Sequence, residues 1–432
     1  MKKLLHLVIS SIICWEGEHM TTTALLITTF ITLYILNYLI DFGLTHLNIN
    51  YMLKFKSPPD LFQKYIAEER YKQTIDYTTT KAKFDMLTTT ITCAIFLIFI
   101  YSGFMNSIDS KLYGLISNEI LRGICFFSIL FFLSFLMGIP FSLYSTFVIE
   151  EKFGFNRETP KIWIVDQIKS IIISLLLMIP LGFLILYFMA HAGEYWWLYV
   201  WILFFFYSLF LALIYPIAIA PVFNKFNPLE EGELKTKLEN LAKKAEFPIK
   251  NIFIIDAAKR STHSNAYFAG LGHTKRLVLY DTMIKDFTTD EIVGVVAHEI
   301  GHSKKKHILK HMVLTQITAL IFFYCLNLGL HNDYLYKTFF VDHKSTYMGL
   351  ILLSFISSLI ISFFSPLFNL FSWKFESEAD RYAYEISTNK DAIKTMLIKL
   401  AEKNLSNLTP HPLYARIYYS HPPILKRIKD LN

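Results

Sequence analysis

Long apolar runs separated by short polar loops dominate the chain. Seven of them approach or exceed the roughly 20 residues that carry a helix across a bilayer, at about residues 24–40, 86–105, 121–143, 171–190, 195–217, 312–330 and 347–373. Two stretches are polar enough to stand in water, at about 220–311 and 374–432. In the first, Leu234, Leu238, Leu241 and Ala245 recur at helical spacing and predict an amphipathic helix over 232–246. Short β-type runs follow at 252–255, 266–268 and 276–280. Thr288 and Glu291 then stand three apart ahead of an apolar run, the spacing of a capping box at a helix start. The predicted fold is predominantly α-helical and polytopic: seven transmembrane helices bearing a soluble domain with a small β-sheet. Its segments are an N-terminal piece (1–23), five spans with their loops (24–218), a water-exposed domain (219–311), two further spans (312–373) and a tail (374–432).

Charge orients these spans. Between spans one and two lie Lys54, Lys56, Lys64, Arg70, Lys72, Lys81 and Lys83, whereas the next loop carries only Lys111. Lys152, Arg157, Lys161 and Lys169 fill the third loop, the fourth has none, the fifth has many, and the sixth has Lys337 and Lys344. By the positive-inside rule the odd loops and the tail are cytoplasmic, which puts both water-exposed stretches on that side. The first twenty residues, two lysines and an apolar run from Leu4 to Trp15 followed by Glu16 and Glu18, lack the small-residue cleavage site of a signal peptide, and the run is short for a span. A start of translation at Met20 rather than Met1 fits the charge pattern better, because it removes Lys2 and Lys3 from the positive-poor side.

Composition agrees with a membrane protein. Of 432 residues, 53% are hydrophobic, 16% aromatic and only 18% charged, too apolar for an ordinary soluble domain. The formal net charge of +7 is spread over loops beside apolar runs, so a nucleic-acid partner is discounted in favour of membrane lipid. Cys14, Cys93, Cys125 and Cys325 fall in apolar sequence with no CxxC pair, which indicates neither a disulfide framework nor a thiolate metal site.

The chemistry lies in Val296-Ala297-His298-Glu299-Ile300-Gly301-His302, an HExxH sequence. Residues four apart share a helical face, so His298 and His302 can point at one ion, one zinc per chain. Glu299 on the same side can take a proton from a water activated by the metal, as amide hydrolysis requires. The flanking Ile292, Val293, Val295 and Val296 make this a buried helix, where unpartnered histidines and a glutamate would be costly. A catalytic zinc needs a third protein ligand and an open position, and Glu376 is the candidate. Asp380, one turn further on, shares its face and could accept the free ring N–H of a ligand histidine, fixing its tautomer. Glu378 points elsewhere and reads as surface charge.

The HExxH helix is expected to continue through Lys304, Lys305, Lys306 and His307 into the span from Met312, which puts His302 about 15 Å before the apolar run at about 1.5 Å per residue. Glu376 lies three residues beyond Trp373. The metal should therefore sit where two neighbouring helices leave the membrane, with its substrate at the cytoplasmic face. Asn37, Gln316 and Asn327 fall within spans, where they either line a wet surface or bond between helices.

These residues resemble the CaaX prenyl protease 1 family, integral-membrane zinc metallopeptidases with seven spans. The likeness extends through Phe147-Val148-Ile149-Glu150-Glu151-Lys152-Phe153-Gly154-Phe155-Asn156, through Ile219-Ala220-Pro221-Val222-Phe223-Asn224-Lys225-Phe226, through Lys259-Arg260-Ser261-Thr262-His263-Ser264-Asn265-Ala266-Tyr267-Phe268 and through Ser420-His421-Pro422-Pro423. It implies that the spans enclose a water-filled chamber faced by the zinc, and that Asn265 and His421 hold the peptide backbone or the tetrahedral oxyanion. The strand after Asn265 could pair with an extended substrate. His263, His307, His311 and His411 are given no role. The implied substrates are prenylated proteins ending in CaaX, cut near the C-terminus. The absence of a retrieval signal such as KDEL favours a bacterial inner membrane, and an endoplasmic reticulum membrane is also admitted. Two other readings share the spans: a quality-control protease with no prenyl requirement, and a transporter or scaffold with a structural zinc. The second leaves Glu299 without a purpose.

Overall fold

The computed structural model describes residues 18–247, 252–270 and 275–431. The two candidate starts at Met1 and Met20 turn on the N-terminal segment, whose residues 1–17 lie outside the described residues. Among the described residues, seven helices are long and apolar enough to cross a membrane. The spans begin with α1 (Glu18–Met52), α2 (Glu68–Tyr101), α3 (Glu119–Tyr144), α4 (Pro160–His191) and α5 (Trp196–Ile214). After the soluble helices α6 (Glu233–Lys244) and α7 (Thr289–Lys304) come the last two spans, α8 (His307–Gly329) and α9 (Thr346–Ile386). The chain closes with α10 (Lys390–Lys403) and α11 (Ile424–Asp430).

Several helices run well past their apolar stretches. The second begins at Glu68, eighteen residues ahead of the apolar run at Met86, and α9 is one helix of 41 residues that carries Glu376 and Asp380 beyond its apolar part without interruption. Continuity of α9 matters because it fixes both carboxylates on a single rigid rod. The spans bury little against one another: only 6% of the apolar window is buried in each of α2 and α4. Their outer faces expose large side chains such as Leu176, Phe206 and Phe371, as lipid-facing helices do. Of the polar residues in spans, Asn37 accepts from Ser362 Oγ at 2.9 Å and Gln316 Nε2 donates to Ser208 Oγ at 3.1 Å, so both bond between helices.

The soluble unit is a four-stranded sheet in the order β1 (Phe226–Pro228), β2 (Ile252–Ile255), β4 (Arg276–Tyr280), β3 (Ala266–Ala269). The β2–β4 pairing is parallel and the other two are antiparallel, which leaves β3 as an edge. The core beneath the sheet joins Leu277 and Leu279 to Leu238 and Leu241 of α6, Val295, Val296 and Ile300 of α7, and Ile393, Met396 and Leu397 of α10. Tyr71 and Ile75 at the head of α2 belong to the same core. The soluble unit is thereby packed directly onto the spans rather than tethered to them.

Candidate active site

Two elements supply the cluster. At the start of α7 both halves of the capping box form: Glu291 N donates to Thr288 Oγ1 at 3.3 Å, and Thr288 N donates to Glu291 Oε2 at 2.8 Å. Lys399 holds the same carboxylate at 2.8 Å. The buried face of α7 then carries His298 and His302 against α9. Gly301 permits the close approach, since a Cβ there would lie 3.0 Å from both the Cα and the carbonyl oxygen of Ala379. Backbone atoms cannot rotate aside. Gly301→Ala is expected to lever α7 from α9 and to destabilise the protein by about 1–3 kcal/mol, read as a lower Tm together with less bound metal per chain.

His298, His302 and Glu376 each aim one ligand atom at a common point, all within 4.8 Å of one another. The two Nε2 atoms are 3.1 Å apart, His302 Nε2 is 3.2 Å from Glu376 Oε1, and His298 Nε2 is 3.5 Å from Glu376 Oε2. Bonds of about 2.0–2.1 Å to a tetrahedral ion set its ligand atoms about 3.3 Å apart, the scale of these separations, with the Glu376 carboxylate meeting His302 through Oε1 and His298 through Oε2. Among the described residues Glu376 Oε2 is buried without a hydrogen-bond partner, its charge met by the Arg427 guanidinium at 3.5 Å and open to a further cation. A nitrogen, nitrogen and oxygen donor set suits a catalytic rather than a closed structural site.

Around the trio the remaining predicted residues fall into two groups. Asp380 Oδ1 lies 2.9 Å from His298 Nδ1, and His421 Nε2 lies 3.2 Å from Glu376 Oε1 at the exposed side. Glu299 is half-buried beside the ligands. Burial pushes its carboxyl above the usual range, partly offset by His298 and His302, while the backbone of Phe268 on edge strand β3 bonds to it. Burial pulls the His298 imidazole down, but hydrogen bonds to Asp380 and Glu376 outweigh it and lift the metal-free pKa to about 9. Asn265 stands apart: exposed just ahead of β3, its side-chain oxygen accepts from the Ala266 N–H at 2.8 Å.

One charged residue of the cluster escaped the sequence reading. Arg427 of α11 forms a bidentate pair with Asp380, both bonds 2.7 Å, and its guanidinium reaches within 3.5 Å of Glu376 Oε2. The available signal was position. Ile424 and Leu431 lie three and four residues from Arg427 on the face that α11 buries, with Ile428 next to it, so a charge there needed a buried partner. The expected unbroken helix from the HExxH into the sixth span is also corrected. After α7 ends at Lys304, Lys306 adopts a left-handed φ of 56° and α8 starts anew at His307. Glu378 is corrected as well, from surface charge to a partner of His307 Nε2 at 3.0 Å.

Comparison with known proteins agrees with this geometry. A family model described as the CAAX prenyl protease N-terminal region with five membrane helices matches residues 48–225, and peptidase family M48 matches residues 228–432. The chain is 36% identical to a CAAX prenyl protease 1 homolog of Arabidopsis thaliana over 90% of its length and 94% of that protein's. It is 35% identical to CAAX prenyl protease 1 of Saccharomyces cerevisiae over 90% and 91% of the two chains. The crystal structure of S. mikatae Ste24p superimposes with a TM-score of 0.89 at 33% identity, covering 94% of this chain and 99% of that one. With likeness spanning both the helical half and the metal-ligand half, the chain belongs to the CAAX prenyl protease 1 family, the multi-pass membrane metalloendopeptidases of peptidase family M48.

Proposed function

We propose that the chain binds one zinc through His298, His302 and Glu376 and hydrolyses prenylated CaaX-type proteins, or related hydrophobic peptides, near their C-termini. The observation that carries this is the three-cornered ligand set on α7 and α9 with Glu299 beside it. A bound zinc would supply a Lewis acid that polarises the scissile carbonyl and acidifies a water. Glu299 takes the proton of the attacking water and returns it to the leaving amine. Its burial-raised basicity suits both transfers. Asp380 accepts the Nδ1–H of His298 and so presents Nε2 to the site. His421 donates to the developing oxyanion in this reading, supported by its ring lying beside the proposed ligand set, 3.2 Å from Glu376 Oε1. The free edge of β3, adjoining Glu299 through Phe268, offers ladder hydrogen bonds to an extended substrate, with Asn265 at its head.

The alternating loop charges support a cytoplasmic catalytic side. Of the bacterial inner membrane and the endoplasmic reticulum, the second is favoured by relatives from plants and yeast. Paired peptides differing only in a farnesyl group on the CaaX cysteine test the substrate, using detergent-purified protein. Cleavage restricted to the farnesylated peptide and abolished by chelator is the expected result. Equal cleavage of both would replace the prenyl requirement with general proteolysis of membrane or exported chains.

A further inference from the structure

The two ligand histidines are supported differently. His298 Nδ1 meets a carboxylate directly, at 2.9 Å from Asp380 Oδ1. His302 Nδ1 instead meets His307 Nδ1 at 3.0 Å, and His307 Nε2 meets Glu378 Oε2 at 3.0 Å. With Nε2 of His302 turned to the metal, its proton must sit on Nδ1 and be donated to His307. His307 can accept there only as the neutral tautomer protonated on Nε2, and Glu378 accepts that second proton. Every proton in the chain is thus assigned once the ligand atom is chosen. We propose that His307 and Glu378 are positioning residues that hold His302 in its ligating tautomer and orientation, a relay that rests on the proposed metal site.

Backbone geometry places the relay. On a continuous helix, positions 302 and 307 would stand about 140° apart around the axis, at about 3.6 residues per turn, and their rings could not meet. The left-handed turn at Lys306 breaks the rod and folds His307 back beneath His302. A lysine in that conformation is strained, and the packing of its neighbour sustains it. His307 is 2% exposed and stacks on Phe375, ring centroids 4.3 Å apart and 13° from parallel, on the residue just before Glu376. Lys310 and Lys374 stand 3.7 and 3.9 Å from the Glu378 carboxylate and flank it in the half-open rim.

The test measures zinc affinity of the full chain in detergent by competition with a chromophoric chelator, alongside melting of the metal-free protein. His307→Phe keeps the ring, the burial and the stack but has no acceptor. It is expected to weaken zinc binding by about 10–100-fold while the metal-free Tm changes little. His307→Asn, whose amide oxygen can take the place of Nδ1, is expected to recover most of that loss. A packing role would give the opposite order. Zinc held by His307→Phe as tightly as by the parent, or no recovery with His307→Asn, would overturn the relay. Glu376→Ala separates this from the metal reading: if that variant keeps its zinc, the ligand set is wrong, and if it loses zinc while His307→Phe does not, only the relay fails.

Discussion

Glu299→Gln is expected to retain its metal and to lose turnover by about 10²–10⁴-fold. The side chain is not one of the three that converge on the ion point, so the ligand geometry survives an isosteric change. Proton transfer is lost because an amide neither accepts a proton from water near neutral pH nor gives one to the leaving nitrogen. Burial already raises the Glu299 carboxyl, so replacing it with a neutral amide adds no desolvation penalty, and the metal-free variant should melt no lower than the parent. Metal content by elemental analysis and single-turnover cleavage of a peptide decide the matter. Activity within a few-fold of the parent would remove Glu299 from the proton-transfer role, and would favour a reading in which the metal is structural.

Asp380→Ala should damage stability and metal binding together. Arg427 is 9% exposed and both of its short side-chain bonds end on Asp380. Truncating one member of a buried pair typically costs about 3–5 kcal/mol, since the remaining charge stays desolvated. The same substitution removes the acceptor for His298 Nδ1, lowering metal affinity by about 10–100-fold. The double variant Asp380→Leu with Arg427→Met separates the two effects. With the Asp380–Arg427 pair replaced as a whole, much of the lost stability should return, less what the Arg427 guanidinium contributes beside Glu376 Oε2 at 3.5 Å, whereas metal affinity should not, because His298 still lacks its acceptor. Thermal melting with and without chelator reads both quantities. A double variant that regained zinc affinity as well would mean that Asp380 acts through the fold alone.

Under the proposed function, catalysis and placement fall to different residues. Among the described residues Glu299 makes no ion pair, and it adjoins edge strand β3, which the proposed function offers to an extended substrate. Asp380 and Arg427 support the proposed ligand His298, and His307 and Glu378 the proposed ligand His302. Gly301 sets the distance between the two helices on which all of this depends.

Much of this was legible from local pattern. The seven spans follow from runs of apolar residues long enough to cross a bilayer, the start of α7 from Thr288 and Glu291, and the strands at 252–255 and 276–280 from short β-type runs. The spacings within His298, Glu299 and His302 and between Glu376 and Asp380 each place side chains on one helical face, because about 3.6 residues complete a turn wherever the helix lies. Local pattern could not supply the end of α7. Lys304, Lys305 and Lys306 are good helix formers with no glycine or proline among them, and continuation was the natural expectation. The break is decided by His307, packed on Phe375 and bonded to Glu378 across 71 positions of chain. Arg427 joins Asp380 across 47 positions in the same way. Spans, caps and ligand spacing arise from interactions within a few residues and are therefore written in sequence order. The partners that orient the ligands come from distant segments, and only the packing of α7, α8, α9 and α11 around one point brings them within hydrogen-bond reach.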